Sequence, residues 1–216
     1  MQPDHPRIAE IRGLRRKRRK LILDDGREFV FGEEACERLH VRKGSTATPE
    51  LITELESEDR KAGLHEAALN LLSYRMRSEA ELRRRLRMRG ADDEAIDAEL
   101  ERLRNAGLVD DTRFAEMWVG ERTNSSPRSS RMLRAELRAK GVAATTSVDA
   151  TSDVDDDGAA LALARSRARR ISAPDFQAFH AKVGGALQRR GFDFATTQRA
   201  VRVAWSERVG SFVDDE

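Results

Sequence analysis

A short helical pattern that recurs three times constrains the fold of this chain most. It reads Leu82-x3-Leu86-x3-Gly90, then Leu133-x3-Leu137-x3-Gly141, then Val183-x3-Leu187-x3-Gly191, with the glycines 51 and then 50 residues apart. Two apolar residues four positions apart form a buried stripe on one helix face, and a glycine just beyond it supplies the left-handed residue at which helices often end. Because a period of this length is typical of stacked supersecondary units, the repeat predicts tandem copies of a small helical module.

The predicted fold is mainly α, an elongated array of tandem three-helix modules with a small N-terminal β-hairpin or sheet extension. Short loops between helices of about 10 to 12 residues allow three of them to enclose one core. The third helix of the second module is the weakest element, because residues 143–154 are rich in Thr, Ser and Asp. The predicted boundaries are 1–60 for the β-hairpin with short helices, 61–110, 111–156 and 157–208 for the three modules, and 209–216 for a frayed tail.

The N-terminal segment contains a hairpin signal. Leu21-Ile22-Leu23 and Phe29-Val30-Phe31 flank Asp24-Asp25-Gly26, and an Asp-Gly pair between two apolar runs predicts two antiparallel strands. A sheet this small needs a helix or a partner to cover it. Three further elements are expected here: a strand over 8–14, a short helix over 33–39 and a helix from Pro49 to about Glu58.

An unbroken run of six basic residues extends from Arg15 to Lys20 and leaves two interpretations open. It is either an electrostatic contact with phosphates or an acidic partner, or a device that protects a sheet edge, where Lys and Arg are common. Both interpretations fit the composition of the run equally well.

The composition indicates a lean apolar core without covalent cross-links. Hydrophobic residues make up 39% of the chain, aromatic residues 5% and charged residues 36%, which suits small helical bundles better than one deep interior. The single cysteine, Cys36, excludes an internal disulfide and fits a reducing compartment. No apolar run approaches the roughly 20 residues that span a bilayer. We therefore expect a soluble, cytoplasmic protein without a membrane contact.

Sequence motifs of catalysis and cofactor binding are absent. The histidines are scattered along the chain, as His5, His40, His65 and His180. Together with one cysteine they offer no zinc-binding set, and phosphate-binding loops and nucleophile elbows are missing as well. Asp155-Asp156-Asp157 is interpreted as a helix cap, and the acids on helix surfaces as partners of nearby arginines, for example Glu99 with Arg102. The chain is predicted to be no enzyme and to need no metal or cofactor.

Arginine is concentrated on the exposed face of the repeated helix in all three copies. Such faces are sometimes only solubility devices, but their alignment with the repeat favours contact with a polyanion or with a polymer that carries repeating acidic patches. The candidate contact residues are Arg83, Arg84, Arg85, Arg87, Arg89, Arg131, Arg134, Arg138, Arg189 and Arg190. We expect them to act as an electrostatic footprint rather than as a catalytic set.

The segment from Arg83 to Leu100 also has the helix–glycine turn–helix layout of a DNA-binding helix-turn-helix. Its second helix carries six carboxylates, Asp92, Asp93, Glu94, Asp97, Glu99 and Glu101. In a recognition helix they would repel the phosphates of a major groove. Sequence-specific reading is therefore disfavoured. A sequence-tolerant or helix-turn-helix DNA-binding protein that acts on its own is one function left open by this layout.

Two strings in the first module carry a family resemblance. They are Ser78-x-x-Glu81-Leu82-x3-Leu86-x3-Gly90 and AGLVDDxxFAxxWVxxR over residues 106–122. Together they resemble the RecX family of recombinase regulators, and the tandem three-helix layout extends the likeness to about residue 205. The weak third helix of the second module departs from the family pattern.

The resemblance implies a non-enzymatic modulator of the RecA recombinase in DNA recombination and repair. Members of the family bind RecA and its nucleoprotein filament and inhibit ATPase and strand-exchange activity. For this chain the implied partner is therefore RecA and the RecA–DNA filament, with a weak direct DNA contact and a monomeric state as further expectations. Several weak contacts along a filament would add up through effective concentration.

Overall fold

The computed structural model describes residues 5–211 and the side chains up to residue 209. Within this range the strands are β1 (Ile8–Leu14), β2 (Arg18–Leu23) and β3 (Glu28–Gly32). The helices are α1 (Glu33–Arg38), α2 (Pro49–Tyr74), α3 (Glu79–Arg87), α4 (Asp93–Asn105), α5 (Asp111–Ser125), α6 (Ser130–Ala139), α7 (Ala144–Asp149), α8 (Asp156–Ala168), α9 (Phe176–Gln188) and α10 (Phe194–Ser211). Most of the expected tail at 209–216 lies outside the described residues.

The chain forms two compact units. The first contains the residues up to 75 together with 82–108, and the second contains 76–81 together with the residues from 109 onward. The division falls inside α3, whose first turn belongs to the second unit and whose remainder belongs to the first. No helix within the described residues is both long and apolar enough to cross a membrane.

The N-terminal sheet is antiparallel with the strand order β1-β2-β3, which confirms the three expected strands. Alternation along β2 and β3 directs Leu21, Leu23 and Phe31 inward, where they are at most 4% exposed. They pack with Ile8 and with α1 and α2, so the sheet has the helical cover that its small size requires.

Helix α2 differs from its prediction. A helix ending near Glu58 was expected, followed by a separate module from residue 61, but Pro49–Tyr74 is one continuous helix of 26 residues. Thr48 caps it by accepting a hydrogen bond from Leu51 N at 3.2 Å. Gly63 lies inside this helix, and a glycine inside a long helix is tolerated when packing on both sides holds the helix together. Leu55 and Ala68, both fully buried, supply that packing.

Helices α3 and α4 form the apolar stripes expected of the first module. Leu82 and Leu86 of α3 and Ile96, Leu100 and Leu103 of α4 are all fully buried. Helix α3 stops before Gly90, which has a φ of +87°, and that conformation is cheap only for glycine. In this module the leucines of the repeated pattern are buried and its glycine follows the end of the helix, as the sequence predicted.

The second unit contains two apolar clusters. One joins Phe114 of α5 to Leu133 and Leu137 of α6, and the other joins Phe179 of α9 to Val201 of α10. The predicted weak helix of the second module is the six-residue α7. Within it, the buried Ser147 donates its hydroxyl to Ala143 O at 2.9 Å, a local bond of the kind that competes with helix formation, and Val148 remains 49% exposed.

Candidate functional site

Several arginines of α3, and Arg89 just after its end, lie outside the buried leucine stripe. Arg84, Arg85 and Arg89 are exposed, and among residues 5–211 no hydrogen-bond or ion-pair partner lies near their guanidinium groups. They are therefore uncompensated positive charges within one helical turn and a half. Met88, 75% exposed between two arginines, adds an apolar surface beside them.

Two other arginines of α3 are neutralised by α4. Arg83 forms an ion pair with Asp97, and Arg87 donates to Asp93 with Nη2 at 2.5 Å and Nε at 2.9 Å. Half-exposed pairs of this kind stabilise by at most about 1 kcal/mol. They reduce the charge available for a partner, so the five candidate arginines of residues 83–89 are not equivalent.

The expected surface pairing of Glu99 with Arg102 is wrong. Glu99 is only 6% exposed and instead receives His65 Nδ1 of α2 at 2.7 Å. Burial explains the difference, because a carboxylate out of water needs a close hydrogen-bond partner. Glu99, which was predicted to lie on the surface, thus links α4 to α2.

Most arginines of α6 are engaged within the second unit. Arg131 Nη2 donates to Gly191 O at 3.2 Å, and Arg134 Nη2 donates to Ser130 Oγ at 3.1 Å. Arg138 is exposed, and no partner for its side chain lies within the described part of the chain. The second copy of the repeat therefore leaves one free guanidinium where the first leaves three.

The two arginines after α9 also differ from each other. Arg189 is exposed, whereas Arg190 Nη1 donates to Pro127 O at 3.3 Å and is only partly accessible. Burial, with a smaller effect from the positive charge of Arg167, lowers the pKa of Arg190 from its ordinary value. Arg190 thus holds the loop before α6, and Arg189 is the candidate that remains available to a partner.

A joint between the second and third modules uses the N-terminus of α6. Ser129 caps the helix by accepting from Met132 N at 3.2 Å, while its own N–H donates to Arg190 O at 3.0 Å. Ser130 donates from both N (2.6 Å) and Oγ (2.9 Å) to the carboxylate of Asp156, at the start of α8. Gly191 fits closely here, since an added Cβ would lie 2.6 Å from Ser129 Oγ.

The first turn of α3 has the same arrangement inside the second unit. Ser78 Oγ accepts from Glu81 N at 3.2 Å and donates to Lys140 O at 2.6 Å. Glu79 N donates to Asp111 Oδ1 at 2.8 Å, and burial raises the pKa of Asp111. The string Ser78-x-x-Glu81 has the spacing of a capping box, but the joint itself was not predicted from the sequence. Its signal was the recurrence of a capping serine and, about 62 residues later, a helix-ending glycine.

The tryptophan and arginine of the family string serve internal packing. Trp118 Nε1 donates to Glu136 Oε2 at 2.9 Å, and the Arg122 guanidinium lies 4.3 Å from the centroid of the Trp118 rings. Arg122 and Arg128 both form ion pairs with Glu136. These residues fasten α5 to α6 and are not part of the exposed arginine surface.

Of the three acids Asp155, Asp156 and Asp157, which were predicted to cap α8, only Asp155 is its N-cap, whereas Asp156 accepts from Ser130. Asp155 accepts from Gly158 N at 3.0 Å, and Asp157 pairs with Arg199 at 2.6 Å, which lowers the pKa of Asp157. Over the described residues no group of three His, Cys, Asp or Glu side chains is placed to hold a metal ion.

Family comparison matches the chain at three successive places. The models of the first, second and third three-helix domains of RecX match residues 65–103, 110–150 and 155–201. Each matched segment contains one copy of the leucine–glycine repeat, in the same order as along the chain.

Individual relatives and solved structures agree with these matches. A "Regulatory protein RecX" from Corynebacterium efficiens is 36% identical over 162 residues, covering 71% of this chain and 77% of that protein. One of the same name from Amycolatopsis mediterranei is 37% identical over 142 residues, covering 64% and 81%. A crystal structure of regulatory protein RecX superimposes with a TM-score of 0.69 at 24% identity, covering 89% of this chain and 97% of its own. The crystal structure of RecX from Lactobacillus salivarius superimposes with a TM-score of 0.61 at 24% identity, covering 68% of this chain and 97% of its own.

Proposed function

This chain belongs to the RecX family of regulatory proteins, and from that premise we propose that it binds the RecA recombinase and its nucleoprotein filament. Binding would inhibit the ATPase and strand-exchange activities and so moderate recombination and DNA repair. The protein would act by occupying the filament rather than by chemistry of its own, as a monomer in the cytoplasm.

The observation that carries the site is the uncompensated charge on α3. Arg84, Arg85 and Arg89 are exposed and unpartnered within the described residues, in the segment that matches the first RecX domain. Guanidinium groups without an internal partner lose no existing ion pair when they bind a carboxylate or phosphate. Arg83 and Arg87 would have to release Asp97 and Asp93 first, so we assign them a smaller share.

Arg138 and Arg189 provide a second and a third weak contact in the other two modules. A filament repeats the same protomer surface along its length, so separate weak contacts on one chain act together through effective concentration. Arg131, Arg134 and Arg190 contribute chiefly by keeping the second unit in shape, because their side chains already hold backbone or hydroxyl oxygens.

The test is a RecA ATPase assay on single-stranded DNA with increasing amounts of this protein. Inhibition is expected for the natural chain. The triple variant Arg84→Glu/Arg85→Glu/Arg89→Glu is expected to need about tenfold more protein for the same inhibition, which corresponds to about 1.4 kcal/mol. The matched control Arg42→Glu/Arg113→Glu/Arg202→Glu changes the net charge equally at exposed positions elsewhere and should inhibit normally.

Two results would contradict the proposal. A RecA filament that remains fully active at saturating amounts of this protein would exclude the function. Tight binding to bare DNA at a defined site, without any effect on RecA, would favour a DNA-binding protein that acts independently of a recombinase. Equal weakening by the triple variant and its control would remove the assigned site but keep the function.

A further inference from the structure

The turn between β1 and β2 carries three exposed cationic side chains in succession. Arg15, Arg16 and Lys17 form this turn, and across residues 5–211 no hydrogen-bond or ion-pair partner is found for any of the three side chains. Residues 65–201 span the matches to the RecX domain models, so the hairpin lies outside them. The arginines assigned to RecA above do not include these residues.

The backbone of this turn adopts a conformation that its residues disfavour. Arg16 has a φ of +59° and Lys17 a φ of +53°, in the left-handed region where side chains with a Cβ are strained. The turn between β2 and β3 of the same sheet uses Gly26 at a φ of +87° instead. Two long cationic side chains thus stand where asparagine and glycine would fold more easily, which indicates that the side chains themselves are needed.

The base of the hairpin is held firmly by the other half of the basic run. Arg18 Nη1 lies 2.9 and 3.0 Å from the two carboxylate oxygens of Asp59, which also accepts from Gly32 N at 2.7 Å. Arg19 pairs with Glu33 at 2.8 Å. The second half of the basic run Arg15–Lys20 therefore stabilises the fold, and only its first half is available to a partner.

The backbone of the turn is anchored as well. Lys17 O accepts a hydrogen bond from Glu33 N, at the first turn of α1, at 2.8 Å. Because the turn is held in place, little backbone freedom remains to be lost when its side chains bind a partner. Arg15, Arg16 and Lys17 therefore form a rigid, uncompensated cationic tip.

We propose that this tip, Arg15–Lys17, binds the phosphodiester backbone of nucleic acid directly and without RecA. Three adjacent cations suit a linear array of phosphates, of which each strand of a duplex carries one for about every 3.4 Å of helix axis. The tip has no aromatic residue for base stacking, so the contact is to the backbone and independent of sequence.

The test uses Arg16→Asn/Lys17→Gly in the full-length chain, a pair of changes that removes two charges and relieves the disfavoured backbone. The variant is therefore expected to unfold at the same temperature as the natural protein or higher, which separates binding from folding. The matched control Arg42→Ser/Lys43→Ser removes two exposed cations from a turn elsewhere in the same unit. Fluorescence anisotropy with labelled single-stranded and duplex oligonucleotides, without RecA, gives the affinities.

Salt dependence supplies the decisive readout. Affinity is measured between about 50 and 200 mM salt. The magnitude of the slope of log affinity against log salt should decrease by about 0.9 per lost phosphate contact on duplex and by about 0.7 on single strands. On duplex, the salt slope of the tip variant should therefore be smaller in magnitude by about 1.8 than that of the natural protein, and the slope of the control should be unchanged. The comparison of the two probes shows which strand form the tip prefers.

Three outcomes overturn the inference. In the first, the natural protein binds neither oligonucleotide at low salt, and in the second, the tip variant keeps the natural salt dependence. In the third, the tip variant binds DNA normally but loses affinity for RecA in the absence of DNA, which makes the tip a contact for an acidic protein surface. Because RecA is absent from the main assay, failure here leaves the proposed inhibition of RecA standing.

Discussion

Helices α3 and α6 are copies of one sequence pattern but use their exposed arginines differently. In α3 and the turn after it, Arg84, Arg85 and Arg89 have no partner within the described residues, whereas in α6 only Arg138 is similarly free. Arg131 is occupied, because the carbonyl of Gly191 in the next module lies within reach of its guanidinium.

The ends of the two helices differ in the same way. Gly90 follows α3, and no described atom lies within 4 Å of the position of an added Cβ. Gly141 follows α6, and an added Cβ would overlap that of Ala80 in the second unit. The shared pattern thus specifies a buried stripe and a stop, while the neighbours of each copy decide whether its surface binds a partner or holds the protein together.

The largest expected effect comes from the two glycines. Gly90→Ala should destabilise by about 1 to 2 kcal/mol, because only the left-handed backbone opposes a Cβ there. Gly141→Ala should lose the same amount and a further amount of about 1 to 3 kcal/mol from overpacking against Ala80. Urea unfolding of the full chain compares the two variants. Equal losses would show that the end of α6 is as open as the end of α3.

Truncating the free arginines of α3 should affect binding and leave stability unchanged. Arg84→Ala/Arg85→Ala/Arg89→Ala is expected to weaken inhibition of RecA about fivefold, or about 1 kcal/mol, since three charges without internal partners are removed. The free energy of unfolding should stay within about 0.5 kcal/mol of the natural protein. The ATPase titration and a urea unfolding curve measure the two quantities, and a variant that loses stability instead would refute the contrast with α6.

Truncating the engaged arginine of α6 should do the opposite. Arg131→Ala removes the hydrogen bond to Gly191 O and should destabilise by about 0.5 to 1.5 kcal/mol. Arg138→Ala on the same helix is the matched control, and its unfolding curve should not move. If Arg131→Ala weakened inhibition while its unfolding midpoint stayed in place, Arg131 would belong to the contact surface after all.

The smallest effect is expected at Asp111, which accepts from Glu79 N at the start of α3. Burial raises the pKa of its carboxyl, so its contribution to stability is full below the unfolded-state pKa and is lost as the pH rises through the folded-state pKa. Asp111→Asn keeps an acceptor without the buried charge. It should be slightly more stable than the natural protein at neutral pH, by no more than about 0.5 kcal/mol.

The pH dependence of that difference is the check. Unfolding of Asp111→Asn and the natural protein is compared from neutral pH downward, and the stability difference should vanish as the natural carboxyl becomes protonated. A difference that grows toward acid pH would have the wrong sign and would mean that ionised Asp111 stabilises the joint.

Local signals were sufficient for most elements and for the family. The apolar spacing in α3, α6 and α9, the caps Ser78 and Asp155 and the Asp-Gly turn of the sheet were all interpreted correctly, because each depends on residues close together in sequence. The resemblance to the RecX family is confirmed by the three domain matches. The continuity of α2 was missed, because packing outweighed the local weakness at Gly63.

The sequence by itself determined the repeated three-helix fold and the positions of the arginines on its outer face. The tertiary structure alone decided which arginines are free, that Glu99 is buried against His65, and that Gly141 and Gly191 close two similar joints. The physical reason is range. Helical periodicity and capping act over about four residues, whereas the partner of a long side chain is set by whatever distant segment the fold brings within hydrogen-bonding distance.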